Sequence, residues 1–463
     1  MHAFRRLGLL ALLTVAAPAC AQASLQAEVE AQLARAAPGT RFGMLVVDAA
    51  GREVVAVRPD DRFVPASTTK LVTTAAAFAL LPVNEPDAAG GAVVRVEGRD
   101  VVLEGHGDSR LSSAAECLTD CLATLADAVA ARTHEVGDVI GDDRAFADLR
   151  WSPGMSWNNI GTRSGAAISA LTLDDNQMAV RIAPGAVGAP LRVESAGLFP
   201  LDNRTATVAE GMTQVTLERM PFDRIVHLSG SLPVGAAVVT RTVGVDDPAE
   251  WAAWRFRTML EARGVRVRGV VRARHRMGDA ALPPTPGTEI ARLTPLPLVE
   301  DLHHTNKTSD NLHAELLLRR LGGGSAGEGE KAVSALLAQA GVPRWSYAFA
   351  DGSGMSTYNR VTPRAMVQFL RWAAGQPWGT AWRATLPVGG VDGTLSKRFR
   401  DGDLAGRVIA KTGTLAGARA LAGTLRTVSG AELTFAMFAG DAPAEARPVE
   451  TMDAVLALIA AHN

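Results

Sequence analysis

The sequence predicts an α/β (α+β) protein in which one mixed helix–strand domain is interrupted by a β-rich insertion. Three observations predict it. Helical and strand patterns occur together towards both ends, and short β-like runs dominate from about residue 89 to 274. A Pro-Pro-Thr-Pro-Gly stretch at 283–287 then marks where the texture changes back. The chain has 463 residues, 47% of them apolar, which at roughly 150 residues per domain is material for about three domains.

Residues 1–23 read as a secretory signal peptide: Arg5-Arg6, an apolar run from Leu7 to Ala17, and the small-x-small site Ala21-Gln22-Ala23. The run is too short to span a bilayer, and no later segment is long and apolar enough, so stable membrane insertion is not expected. Pro18, two residues before Cys20, fits a lipidation site poorly. The expected place of work is periplasmic or otherwise extracytoplasmic.

Leu25, Val29 and Leu33 share one face of an amphipathic helix, and 41–57 reads as a hairpin turning at Asp48-Ala49-Ala50-Gly51. Pro65-Ala66-Ser67 leads into an alanine-rich helix ending near Leu81. Strands are expected at 92–97, 100–103, 191–194, 214–217, 225–228 and 237–241, with one helix among them at 115–132. Helices follow at 296–302, 311–321, 330–340, 363–374 and 449–461, and strands at 407–410, 420–427 and 432–440. Beyond the leader the cysteines are Cys117 and Cys121. A disulfide suits an oxidising compartment, but a spacing of four on a regular helix does not suit its geometry, so a bridge requires a turn there; two buried thiols is the other reading. Two sulfurs with no nearby paired histidines do not suggest zinc.

The net charge of −1 lacks the basic excess that neutralises phosphates, which excludes nucleic acid as a partner. Of 47 basic residues only five are lysine (Lys70, Lys307, Lys331, Lys397, Lys411), so each retained amine asks for a reason. Three motifs supply one. In Ser67-Thr68-Thr69-Lys70 the i, i+3 spacing brings an amine to a hydroxyl, and lysine, unlike arginine, can lose its proton and act as a base. Ser309-Asp310-Asn311 opens a helix. Lys411-Thr412-Gly413-Thr414 ends a strand, where a second ammonium faces the cleft and glycine clears room for a ligand. Each motif alone is commonplace; together they hold two of the five lysines where the chemistry demands an amine.

The order Ser-x-x-Lys, Ser-x-Asn, Lys-Thr-Gly resembles the set used by penicillin-binding proteins and serine β-lactamases. Ser67 and Ser309 are 242 residues apart, and Ser309 and Lys411 are 102 apart. Class A β-lactamases have a far shorter first gap and a Glu-x-x-Leu-Asn motif that is absent between 312 and 410; class C enzymes have Tyr-x-Asn in the second position. A long insertion after the first motif resembles the low-molecular-mass class C penicillin-binding proteins, the D-alanyl-D-alanine carboxypeptidase/endopeptidases. So do Ser169-Ala170-Leu171-Thr172-Leu173, Asp351-Gly352-Ser353-Gly354-Met355-Ser356 and Leu386-Pro387-Val388-Gly389-Gly390-Val391-Asp392-Gly393-Thr394-Leu395.

The resemblance implies a transpeptidase-like domain, an antiparallel sheet flanked by helices (24–88 and 287–463). It also implies a two-domain insertion, divided as 89–111 with 181–286 and a second subdomain at 112–180. It implies peptidoglycan stem peptides and β-lactam antibiotics as ligands. In it Ser67 is the nucleophile, Lys70 its base, Ser309 a proton relay, and Asn311 a holder of the substrate amide. Lys411 and Thr412 bind the substrate carboxylate on the strand that continues through Gly413, and Thr414 N–H joins Ser67 N–H in the oxyanion hole. No metal or cofactor is implied.

Two positions depart from the family pattern. Asn159, in Trp157-Asn158-Asn159, stands where an Asp often meets a diaminopimelate ammonium, and Thr357 stands where Arg is frequent, with Arg360 nearby. Rival readings are a penicillin-binding sensor with little turnover and a slow β-lactamase. Gly107-Asp108-Ser109-Arg110-Leu111 superficially resembles a GDSL esterase block but lacks a downstream Asp-x-x-His partner. His303, His304 and His313 read as packing or surface residues.

Overall fold

A computed structural model describes residues 16–278, 280–282 and 285–462. The two ends of the chain build one five-stranded antiparallel sheet, in the order Val408–Leu415, Ala418–Arg426, Glu432–Gly440, Arg41–Val47, Glu53–Val57. Successive side chains of a strand point to opposite faces, and here both faces are covered. Phe42, Met44 and Val46 pack with Val455, Leu456 and Ile459 of the C-terminal helix Pro448–His462. Leu45 and Val47 pack on the other side with Leu71, Ala75 and Phe369. The strand therefore reads as a continuous apolar run rather than an alternating one. Helix Lys70–Leu80 lies within that second layer, buried from Lys70 to Phe78, which explains its alanine-rich sequence.

After Leu80 the chain leaves this body and returns at helix Leu298–Thr308. Between them lies a second five-stranded sheet, ordered Val271–Arg276, Val139–Ala147, Asp100–Glu104, Val93–Glu97, Thr288–Arg292. Two three-stranded sheets adjoin it, formed from residues 177–244. One continuous core links them, running from Leu103 and Leu122 through Trp251 and Phe256 to Met178 and Leu228.

The mixed architecture follows the expectation, with three differences. Helix 115–132 shortens to Leu122–Ala130, because Cys117 and Cys121 are joined by a disulfide and the residues before Leu122 form a loop. The insertion has a second helix, Pro248–Ala262, which Asp247 caps and Pro248 opens; arginines at 255 and 257 dilute its apolar pattern, so periodicity alone does not reveal it. Strand pairing also crosses the subdivision that the resemblance implies. Val139–Ala147, from the 112–180 stretch, pairs in parallel with both Asp100–Glu104 and Val271–Arg276, and Thr288–Arg292 pairs with Val93–Glu97. The Gly141-Asp142-Asp143-Arg144 run hides that central strand from any alternation count.

Residues 1–15 of the expected leader, and Pro283-Pro284 of the expected boundary, lie outside the described residues. Among the described residues no helix is long and apolar enough to cross a membrane.

Candidate active site

Ser67 sits in a tight 3-10 turn, Ala66–Thr69, that runs directly into helix Lys70–Leu80. In such a turn residues i and i+3 eclipse, so Lys70 Nζ comes 3.0 Å from Ser67 Oγ. Ala66, with φ at +46°, holds a left-handed conformation that costs a non-glycine residue about 1 kcal/mol or more. Gly354 and Gly413 make that conformation possible. A Cβ at Gly354 would overlap the Ala66 carbonyl and lie 2.9 Å from Ser67 N, and a Cβ at Gly413 would lie 2.6 Å from Pro65 O. Gly413 is therefore small because the Ser67 turn packs on it, which differs from the expected clearance for ligand.

Lys70 is fully buried, and its amine has two further partners: Asn311 Oδ1 at 2.7 Å and the Ser353 carbonyl at 2.6 Å. Asn311 Nδ2 donates to Ser164 O at 2.9 Å, which fixes the amide with its oxygen towards the lysine. The Ser353 carbonyl is held from behind. Gly352 N and Ser353 N both donate to the buried Glu315 carboxylate, at 3.1 and 3.0 Å, and Thr73 Oγ1 donates to Gly352 O. Arg319, itself buried, neutralises Glu315 at 2.9 Å. Asp351 accepts from Gly354 N and Asn359 Nδ2 and closes the loop.

Burial pushes the Lys70 amine down to about 8, against the pull of the Asp351, Asp310 and Glu315 carboxylates. Lys411 is likewise fully buried, and burial followed by the Lys70 charge lowers its amine well below the ordinary lysine range. Lys411 Nζ donates to Ser309 Oγ at 2.8 Å and to Thr412 O at 3.0 Å. Ser309 ends helix Leu298–Thr308 in the left-handed region, with φ at +65°, and this turns its hydroxyl to Lys411 before helix Asn311–Leu321 starts at the Asp310 cap.

The structure thus gathers Ser67, Lys70 and Asn311 around one amine and Ser309 with Lys411 around the other. Thr412 is half-buried and bonds Thr394 Oγ1 at 2.8 Å, and Thr414 is exposed. Val408–Leu415 is an edge strand whose outer side is taken by 387–389 only as far as Ala410. Asn159 lies in the short turn Trp157–Asn159, packed against Gly165, which follows Ser164, whose carbonyl accepts from Asn311.

Lys307 is not part of the amine cluster; it ties helix Leu298–Thr308 to Leu386 O and Asp392 at 2.7 and 2.6 Å. Arg360 folds back on the carbonyls of Thr357 and Asn359. Ser109 Oγ donates to the Asp301 carboxylate and has no imidazole nitrogen at it, so it lacks the base an esterase serine needs. Motif reading missed the Ser353 carbonyl and Glu315. A carbonyl has no side-chain signature, and Glu315 sits on an ordinary amphipathic helix.

The D-Ala-D-Ala carboxypeptidase 3 (S13) family matches this chain over residues 25–461. A D-alanyl-D-alanine carboxypeptidase of Actinomadura sp. (strain R39) is 34% identical over 484 aligned positions, covering 96% of this chain and 87% of that protein. The D-alanyl-D-alanine carboxypeptidase DacB of Haemophilus influenzae is 26% identical over 322 positions, covering 65% and 64%. The crystal structure of penicillin binding protein 4 (dacB) from Haemophilus influenzae superposes with a TM-score of 0.77 at 21% identity, over 93% of this chain and 97% of that one, which establishes a common fold.

Proposed function

This chain belongs to the D-Ala-D-Ala carboxypeptidase 3 (S13) family, and we propose that it works as a serine-type D-alanyl-D-alanine carboxypeptidase of peptidoglycan metabolism whose acyl-enzyme forms on Ser67. One observation carries this reading. A neutral amine has two N–H groups and one lone pair, and two of the three partners of Lys70 Nζ, Asn311 Oδ1 and Ser353 O, can only accept. They take both N–H groups, which leaves the lone pair facing the Ser67 hydroxyl. The base is oriented by its acceptors, and burial loosens its proton.

In the reaction Lys70 takes the Ser67 proton as Oγ attacks the carbonyl of the terminal D-Ala-D-Ala bond. Ser67 N–H and Thr414 N–H receive the oxyanion, where one donor is typically worth about 3 kcal/mol. The C–N bond then breaks, Ser309 passes a proton to the leaving amine from the lysine pair, and water releases the acyl group. The open edge of Lys411–Leu415 pairs with the extended peptide, with Lys411 and Thr412 at its carboxylate. Asn311 has a second N–H for the substrate carbonyl. β-Lactams acylate the same serine. A cross-link ending in the same D-amino-acid bond fits the edge as well, which gives endopeptidase activity. The leader places this work outside the cytoplasm, with the chain up to Leu80 and from Leu298 onward as the catalytic body.

A fluorescent penicillin should attach to Ser67, located by tandem mass spectrometry, and a stem peptide ending in D-Ala-D-Ala should lose one D-Ala. A label on any other residue would overturn the nucleophile. Labelling without peptide turnover would make the protein a sensor, and steady release of hydrolysed penicillin a β-lactamase.

Because Lys70 must be neutral to act and titrates near pH 8, the second-order rate of penicillin labelling should climb about tenfold per pH unit below 8 and level off above it. A flat profile from pH 6 to 9 contradicts the base assignment. Asn159→Asp restores the charge expected opposite a diaminopimelate ammonium. It should raise kcat/KM for diaminopimelyl stems several-fold, as an exposed ion pair of up to about 1 kcal/mol would, and leave lysine-free, uncharged stems unchanged; equal effects on both would remove Asn159 from the substrate site.

A further inference from the structure

The second motif carries side chains that the peptidase chemistry leaves unused. Asp310 lies between Ser309 and Asn311, and its Oδ2 is 3.6 Å from His304 Nε2 on the preceding helix. His313, one turn on, points its Nε2 at Asp175 Oδ1, 3.4 Å away. Donor atoms of His304, Asp310 and His313 all fall within 4.8 Å of one another. In a tetrahedral zinc site, bonds of about 2.0–2.1 Å set neighbouring donors roughly 3.4 Å apart. The His304–Asp310 and His313–Asp175 spacings are therefore already close to those of a filled site, and Asp175 joins the cluster through His313.

The surroundings are built like a metal's outer shell. His313 Nδ1 is bonded to the buried Asp301, which also accepts from Ser109 Oγ at 2.8 Å. That bond keeps a ring proton on Nδ1 and aims Nε2 at the cluster, as carboxylates behind metal-bound histidines do. Asp175 is the middle one of three consecutive left-handed residues, Asp174, Asp175 and Asn176, with φ of +51°, +54° and +54°. Such a turn is strained for non-glycine residues, and strain of this kind collects where a side chain must be aimed. His313 and Asp310 are 4% and 8% exposed, whereas His304 and Asp175 are both 40% exposed. Two donors are fixed, and two can admit an ion from solvent.

We propose that His304, Asp310, His313 and Asp175 form a four-donor site for a divalent transition-metal ion of the zinc type, beside the second motif and structural rather than catalytic. Three carboxylates, counting Asp301, offset the dication. The Arg163 guanidinium, 3.4 Å from Asp310 Oδ2 and largely exposed, is the cation the metal displaces. Binding releases any proton held on His313 Nε2, and the ion then clamps helix Leu298–Thr308, the Asp310 cap and the 174–176 turn to one another.

The test uses the mature chain stripped with chelator and titrated with Co2+ and then Zn2+, and does not depend on peptidase activity. One equivalent of Co2+ should bind with the intense visible spectrum of tetrahedral cobalt, be displaced by Zn2+, and raise Tm. His304→Ala and Asp175→Asn, both at half-exposed positions, should weaken binding at least about tenfold while near-UV circular dichroism stays native. Asp301→Asn should weaken it by about 10–100-fold through the outer shell. Absence of a tightly held equivalent, an octahedral cobalt spectrum, or undiminished binding in both His304→Ala and Asp175→Asn would overturn the site.

Discussion

Lys70→Arg is expected to cut the rate of Ser67 acylation on the order of 10³-fold, although it keeps a positive charge in place. A guanidinium stays protonated at every pH the protein tolerates, so it has no lone pair to offer the hydroxyl. The site also has no room for it. The Lys70 amine is fully buried against three oxygens at 2.6, 2.7 and 3.0 Å, a cradle shaped for a point donor and not for a planar fork. Overpacking such a place costs about 1–3 kcal/mol, so Tm should fall as well. The measurement is a time course of fluorescent-penicillin labelling, run at pH 7 and 9. Wild type should gain from the higher pH and the variant should not. A variant that labels within about tenfold of wild type at both pH values would show that another group takes the Ser67 proton.

Much of this site was legible because the chain uses arginine by default. Lys70 and Lys411 stood out among five lysines, and the structure buries both completely. Lys331 pairs with Glu328 on the surface and Lys397 is exposed, in keeping with surface roles. The sheet strands were legible where apolar residues run unbroken, as at 435–439, and helices 311–321 and 363–374 where cap and period agree. What was hidden depends on contacts between distant segments. The Ser353 carbonyl reaches Lys70 across 283 residues and bears no mark in its own side chain. Strand Val139–Ala147 lies inside its sheet yet carries the buried Asp143, whose partner His275 comes from 132 residues away. Single-segment patterns cannot register a charge whose partner is supplied by the fold. His304 and His313 were set aside for the same reason: their carboxylates arrive from Asp175, Asp301 and Asp310, on three different elements.

Gly354→Ala should reduce acylation about 10²-fold or more without touching any residue that reacts. Two costs combine. Gly354 has φ at +90°, a backbone region in which an L side chain is strained by roughly 1–2 kcal/mol. The new methyl would also run into the Ala66 carbonyl and approach Ser67 N to 2.9 Å. Relief cannot come from the glycine side, because its loop is pinned by Asp351, by Glu315 and by Lys70 itself. It cannot come freely from the serine side, because Pro65 O already sits against Gly413 on the edge strand. The turn at 65–67 must shift, and a displacement of about 1 Å between nucleophile and base is enough for a 10²-fold loss. The shift should appear in kcat and in the labelling rate constant, with a smaller change in KM for the stem peptide, since the strand proposed to bind the peptide is not displaced. A Gly354→Ala protein with native Tm and native labelling rate would mean that the turn is pliable, and that the Ser67–Lys70 spacing is held by something other than this contact.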